Sequence, residues 1–327
     1  KAVNDSALFN SDSAKNWFRM VWSKIYRFFR PARIVFMGTP EFAVASLDAL
    51  VTRKYKVVGV VTVADKPSGR GLQLNESAVK KYAVAHNIPV LQPLKLKDPE
   101  FVAQLASYHA DLQIVVAFRM LPEVVWTMPR LGTFNLHASL LPQYRGAAPI
   151  QWAVMNGDTE TGVTTFMLKH EIDTGNMILQ EKITIGEDEN VGSVHDRLME
   201  LGNDVILRTV ALIEDCDRKG IELPTTPQPE IADLRPAPKI FKETCEIDFT
   251  KTGKQIHDFV RGLSPYPAAW ANLTINSTLY ANVKIFHVSI LKCRVESLEN
   301  NKITVPCADG YVSIDELQLP GKKRMDA

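Results

Sequence analysis

Arg33-Ile34-Val35-Phe36-Met37-Gly38-Thr39-Pro40-Glu41-Phe42-Ala43 decides the fold. Four consecutive apolar residues, three of them β-branched or aromatic, read as a strand buried on both faces. Gly38 breaks it, and Thr39 as N-cap with Pro40 at the first helical position predicts a helix immediately afterwards. A strand, a tight turn and a helix form one β-turn-α unit. The spacing is not G-x-G-x-x-G, so no dinucleotide site is expected. Further apolar runs at 57–64, 89–91 and 112–117 predict strands, with helical patterns at 76–86 and 99–108 between them. That alternation predicts an α/β architecture, a Rossmann-like mostly parallel sheet covered on both faces. Ligands of such sheets gather beyond the carboxyl ends of the strands.

A second stretch lies near such an end: Phe134-Asn135-Leu136-His137-Ala138-Ser139-Leu140-Leu141-Pro142-Gln143-Tyr144-Arg145-Gly146. It reads as a short buried strand that stops at Pro142. Asn135 and His137 are two residues apart, so on a strand they share a face. An amide N–H and an imidazole are the groups that hold an oxyanion and manage a proton. The plainer reading makes Asn135 a turn former and His137 a satisfied core histidine. Downstream, 149–155 reads as a helix, 164–168 and 177–185 as strands, and 191–213 as a long amphipathic helix. Between the two strands, His170-Glu171-Ile172-Asp173-Thr174-Gly175 is a turn with a carboxylate near its tip. Asp173 can orient an imidazolium; as a turn residue it can equally cap its own backbone.

The chain has 327 residues, a formal net charge of +1, 46% hydrophobic and 23% charged residues, which allows two soluble domains and excludes a globally polybasic protein. Four scattered cysteines (Cys216, Cys245, Cys293, Cys307) without Cys-x-x-Cys argue against a disulfide framework and for a reduced, cytoplasmic setting. No apolar run reaches the roughly 20 residues of a membrane span. Residues 1–32 stand apart as an N-terminal extension. Phe18, Val21, Trp22, Ile25 and Phe29 share one helical face and Arg19, Ser23, Arg27 and Arg30 lie mainly on the other, so the extension reads as an amphipathic or targeting segment outside the fold. The loop Asp65-Lys66-Pro67-Ser68-Gly69-Arg70-Gly71 leaves the second strand with Lys80 and Lys81 close behind. It is either a solvated loop or a basic finger for a phosphate-rich partner. A proline-rich linker covers 216–240. Beyond it come a helix at 253–263 and short strands at 269–275, 282–289, 302–306 and 311–317, the pattern of a small β-barrel.

The segments at 134–146, 65–71 and 172–175 occur in the order and approximate spacing of the methionyl-tRNA formyltransferase family, which the chain resembles from about residue 33 to 325. The likeness continues through Phe249, the helix leading to Ser264-Pro265-Tyr266-Pro267, and Glu316-Leu317-Gln318-Leu319-Pro320-Gly321-Lys322-Lys323-Arg324-Met325. Asn-x-His with a downstream Asp is shared with other folate-dependent formyltransferases and formyl hydrolases. The basic loop and the C-terminal part narrow the likeness to the tRNA enzymes. The resemblance implies transfer of a formyl group from 10-formyltetrahydrofolate to the α-amine of methionyl initiator tRNA, without a metal. It makes Asn135, His137 and Asp173 the catalytic trio. Val116, Ala117, Phe118, Leu121, Ser139, Leu140, Leu141, Pro142 and Ile172 would line the folate cleft. Lys66, Arg70, Arg145, Lys322 and Lys323 would meet tRNA, with Lys284, Lys292 and Arg324 as weaker candidates. It divides the chain into a catalytic domain at 33–215 and an OB-like tRNA-binding domain at 241–327, in a monomer. Relative to the family, 290–301 looks short and the chain stops early after Met325. Two other classes stay open: an enzyme using the same trio on a small amine or on water, and a non-catalytic folate- or tRNA-binding protein.

Overall fold

The computed structural model describes residues 30–68, 73–275, 277–292 and 303–327. The amphipathic helix expected over 17–30 therefore lies, up to residue 29, outside the described residues, as do Arg70 and Cys293. Among the described residues two compact units are present: residues 30–135 with 206–225, and residues 136–205 with 226–327.

The first unit is the α/β part. β1 (Arg33–Gly38), β2 (Lys56–Val61), β5 (Val90–Leu91), β6 (Leu112–Val116) and the start of β7 (Thr133–His137) lie in the order β5-β2-β1-β6-β7. β1 runs parallel to both β2 and β6, and β2 runs parallel to β5. Ile34, Val35, Phe36 and Met37 are all fully buried, as a central strand covered on both faces requires. The helices are α1 (Glu41–Thr52), α2 (Ala78–Ala85), α3 (Pro99–Ser107) and the short α4 (Glu123–Trp126). α1 begins one residue later than expected. Pro40 holds the N-cap position in extended conformation, Thr39 makes no cap, and Ala43 N–H closes the first turn on Pro40 O at 2.9 Å. α2 is capped by Ser77, whose hydroxyl accepts from Lys80 N–H.

β3 (Lys66–Ser68) and β4 (Gln73–Asn75) form an antiparallel hairpin, so the expected plain loop is corrected to a β-ribbon on either side of 69–72. Its root is fixed because Asp65 accepts from Lys80 and Gln92, and Lys80 also pairs with Glu76 at 2.8 Å. The Lys80 ammonium holds the Asp65 carboxyl below its usual range. Lys80 is thus spent within the chain.

The second unit opens with the end of β7 and a turn through residues 138–144. The strand ends at His137, not at Pro142, because Ser139 Oγ turns back to donate to Gln143 O at 2.7 Å. α5 (Pro149–Met155), the antiparallel pair β8 (Glu160–Met167) and β9 (Met177–Thr184), and α6 (Val191–Lys219), which runs on into the first unit, follow. After the proline-rich stretch comes α7 (Gly253–Leu263), closed at its start by a capping box between Thr252 and Gln255. The OB-like element is a curled antiparallel sheet of β10 (Ala269–Ile275), β11 (Thr278–Leu291), β12 (Ile303–Cys307), β13 (Gly310–Gln318) and β14 (Met325–Asp326). Ile256, Val260 and Leu263 of α7 pack on Val283, Ile285, Val288, Val312 and Ile314. Each such side chain, fully buried, contributes about 1.5–3 kcal/mol. No described helix is long and apolar enough to cross a membrane.

Candidate active site

β7 carries Asn135 and His137 with one residue between them, so pleating sends both side chains to one face. Asn135 is half-buried and its Oδ1 is enclosed without a hydrogen-bond partner. His137 is 7% exposed, with Nε2 2.8 Å from Tyr144 O. A carbonyl only accepts, so Nε2 carries the hydrogen and Nδ1 is the ring atom left for chemistry. Nδ1 lies 4.0 Å from Asp173 Oδ2. The second unit therefore brings His137 and Asp173 together, across 36 residues of chain.

The turn that delivers Asp173 is built to do so. Asp173 has φ +54, left-handed backbone that a short polar side chain tolerates. Its Oδ2 accepts from Gly146 N–H at 3.0 Å. A Cβ on Gly175 would stand 1.6 Å from Met167 O, so only glycine lets the turn return against the end of β8. Gln228 fastens it from outside: Nε2 donates to Asp173 O at 2.8 Å and to Gly175 O at 2.9 Å, while Oε1 accepts from Arg145 Nε and Nη2 at 3.1 and 2.6 Å.

Tyr144 is buried, with φ +59. Its hydroxyl donates to Asp158 Oδ2 at 2.7 Å and accepts from Asn156 Nδ2 at 3.2 Å. Arg235 Nη1 donates to Asp158 Oδ1 at 2.7 Å and its guanidinium sits over the Tyr144 ring. Burial pushes the phenol up to about 12; the Asn156 amide works against this and the Asp158 carboxylate adds to it. The tyrosine is thus fixed, and so is the carbonyl it gives His137. Ala237 completes the strap, with its N–H on Arg145 O at 2.9 Å and its carbonyl accepting from Ala147 N–H at 2.7 Å. Residues 226–237 are accordingly a wall of the site and not a free linker.

Residues 32–210 match the formyl transferase family model, and 239–327 match the model of the formyl transferase C-terminal domain. The chain belongs to the formyl transferase family. It is 57% identical over 304 residues to methionyl-tRNA formyltransferase of Bacteroides fragilis, covering 90% of this chain and 92% of that protein. Methionyl-tRNA formyltransferase of Flavobacterium johnsoniae is 52% identical over 300 residues, with 90% and 93% covered. Among solved structures, the sugar 3N-formyl transferase WlaRD shares the fold at TM-score 0.62 and 19% identity, covering 90% of this chain and all of that one. HypX from Aquifex aeolicus in complex with tetrahydrofolic acid does so at TM-score 0.59 and 19% identity, this chain spanning 46% of it.

The other candidate residues of this formyl transferase fall into place by unit. In the first, Val116 ends β6 fully buried, Ala117 follows with φ +47 and is exposed, Phe118 is half-buried beside the Arg119 guanidinium, and Leu121 is buried. Arg119 donates to Leu94 O at 3.0 Å and to Pro93 O. In the second, Leu141 and Pro142 are buried, Leu140 is half-buried and Ile172 is exposed. Ser139 is fully buried, and its hydroxyl is committed to Gln143 O. Of the basic candidates, Lys66, Lys284, Lys292, Lys322 and Lys323 are exposed. Arg145 is committed to Gln228, and Arg324 pairs with Glu316 over the Phe286 ring. Sequence reasoning missed Gln228, Asp158 and Arg235, which carry no motif, and Tyr144, whose contribution to His137 is a backbone atom.

Proposed function

We propose that this formyl transferase moves the formyl group of 10-formyltetrahydrofolate onto the α-amino group of methionyl initiator tRNA, with Asn135, His137 and Asp173 as catalytic residues. The observation that carries the reading is the His137–Asp173 pair, 4.0 Å apart, in a chain 57% identical to a methionyl-tRNA formyltransferase along 90% of its length.

The amine attacks the formyl carbon, and the carbonyl electrons move onto oxygen. Asn135 Nδ2 donates to that oxygen. His137 has Nε2–H tied to Tyr144 O, so it donates through Nδ1 as the imidazolium, with the Asp173 carboxylate 4.0 Å from that atom. Asp173 receives the ammonium proton through water. The intermediate collapses, the bond to N10 breaks, and N10 takes a proton to leave as tetrahydrofolate. Each lost oxyanion donor costs about 3–4 kcal/mol of barrier. No step needs a metal. Residues 116–121, 139–142 and 172 would contact the folate. The hairpin at 66–75 and the exposed lysines at 322–323 would meet tRNA phosphates, with 33–215 doing the chemistry and 241–327 supporting the tRNA. The reaction belongs to translation initiation, in the cytoplasm.

The test is formyl transfer to charged initiator tRNA, beside uncharged tRNA and a control without tRNA. Transfer to the charged tRNA alone is expected. Consumption of the donor without tRNA would replace this reading by a hydrolase or small-amine transferase. His137→Ala is expected to abolish turnover while retaining folate affinity.

A further inference from the structure

We propose that Asp188, His257 and His287 form a binding site for a divalent transition metal ion, with zinc as the probe. The three come from the turn after β9, from α7 and from β11, and their ligand atoms lie within 4.8 Å of one another. His257 Nε2 is 2.7 Å from Asp188 Oδ1, and His287 Nε2 is 3.2 Å from both Asp188 oxygens. Two imidazoles thus aim the same ring atom at one carboxylate.

The other ring atoms face carboxylates as well. His287 Nδ1 is 2.9 Å from Asp315 Oδ2, which also accepts from Ser289 Oγ. His257 is nine-tenths buried, and its Nδ1 has no hydrogen-bond partner; Asp258 Oδ1 stands 3.7 Å away. A histidine metal ligand characteristically turns its second nitrogen to a carboxylate, which fixes the tautomer and raises the ligand's basicity. Each Nε2 meets the Asp188 carboxylate either as an N–H donor or across a shared cation, and one ion ligated by all three groups would take the place of those protons.

The frame around the ligands is rigid where it must be. Asp258 is held by Lys254 at 2.6 Å and by Arg261 at 2.8 Å. Buried Arg261 also donates to Glu189 O at 2.9 Å and to Gly186 O at 3.3 Å, clamping the turn that presents Asp188. The Asp188 side chain is 66% exposed, on a cleft that Glu187, Ser289 and Ile290 help to line. Bonds of 2.0–2.2 Å to zinc set tetrahedral neighbours roughly 3.3–3.5 Å apart, so the 2.7 Å approach of His257 to Asp188 would open slightly and the three ligand atoms, now within 4.8 Å of one another, would settle to that spacing. Two imidazoles and one carboxylate suit zinc and its neighbours in the first transition row, not magnesium or calcium. The fourth position would open to the cleft. Such a site would staple the 186–189 turn to α7 and β11. Ligands numbered 188, 257 and 287 have no local spacing, so this site had no signature in the sequence.

The test is zinc titration of the full chain, stripped of metal by chelation, against a competing chromophoric chelator. One equivalent is expected to bind with micromolar or tighter affinity and to raise Tm. Asp188→Asn, at an exposed position that keeps the shape, and His287→Ala are each expected to weaken binding at least about tenfold and to remove the Tm rise. Cobalt in place of zinc is expected to give tetrahedral d–d bands without a thiolate charge-transfer band. Failure to bind one equivalent, or binding that survives both substitutions, would overturn the site.

Discussion

Replacing Gln228 by alanine tests whether the turn that holds Asp173 is secured from outside. The side chain donates to two carbonyls of that turn and accepts twice from Arg145. The two neutral bonds contribute about 1 kcal/mol each, and the charge-assisted pair about 1.5–3 kcal/mol. Arg145 is half-exposed, so water recovers much of its share, leaving a local loss of about 2 kcal/mol. Asp173 sits in left-handed backbone, which reverts readily once its fastening goes. If the whole loss falls on that turn, kcat/KM drops about 30-fold, at 1.36 kcal/mol for each factor of ten. The assay is formyl transfer to charged initiator tRNA at saturating donor. Gln228→Glu keeps the acceptors for Arg145 and loses both donors to the turn, so it should fall between parent and alanine variant. An unchanged kcat/KM in Gln228→Ala would show that Asp173 keeps its place without the strap and would refute the reasoning.

Gly175→Ala puts a Cβ 1.6 Å from Met167 O. It is expected to cost at least about 2–3 kcal/mol locally and to abolish turnover, while amide exchange in the C-terminal sheet stays as in the parent; retained turnover would contradict the turn geometry. Tyr144 predicts a pH effect. Its pKa is raised from 10.0 to about 12, so its stabilisation is complete below pH 10 and is lost as pH climbs towards 12, a total of about 2–3 kcal/mol. Denaturant unfolding of parent and Tyr144→Phe across that window checks it, and parallel curves would count against the buried phenol. Arg70→Ala should raise KM for tRNA and flatten the dependence of log KM on log salt by about one unit, without changing folate affinity; an unaltered slope would remove Arg70 from phosphate contact.

What the sequence could show and what it could not separate along physical lines. Buried strands announce themselves through continuous apolar runs: β1 and β6 fall where their composition puts them, because nothing but a two-sided core accommodates Ile34–Met37. The helix at 253–263 was equally readable, although its Thr252–Gln255 capping box emerged only in the structure. Turn chemistry misled twice. Thr39 is a good cap by type, yet Pro40 already occupies the extended position before α1. The hairpin around 69–72 was hidden because Lys66-Pro67-Ser68 has a loop's composition, and its pairing partner lies beyond two glycines. In the site, Asn135 and His137 were legible because a strand has period two. The approach of Asp173 was not, since it depends on a left-handed residue and a glycine abutting Met167. Gln228 was beyond reach, because a glutamine among prolines carries no periodicity and acquires meaning only through the two carbonyls it meets.

The strap from 226 to 237 also bears on how such chains can be recombined. Met177 pairs with Thr226 through two backbone hydrogen bonds of 2.8 Å, and Ala237 ties into residues 145–148. A graft that exchanged the C-terminal domain at the first proline would carry away the segment that fastens the turn bearing Asp173. The natural crossover point lies after Ala237. A chimera joined there inherits a complete wall, whereas one joined near residue 225 mixes two lineages inside a single hydrogen-bonded ring.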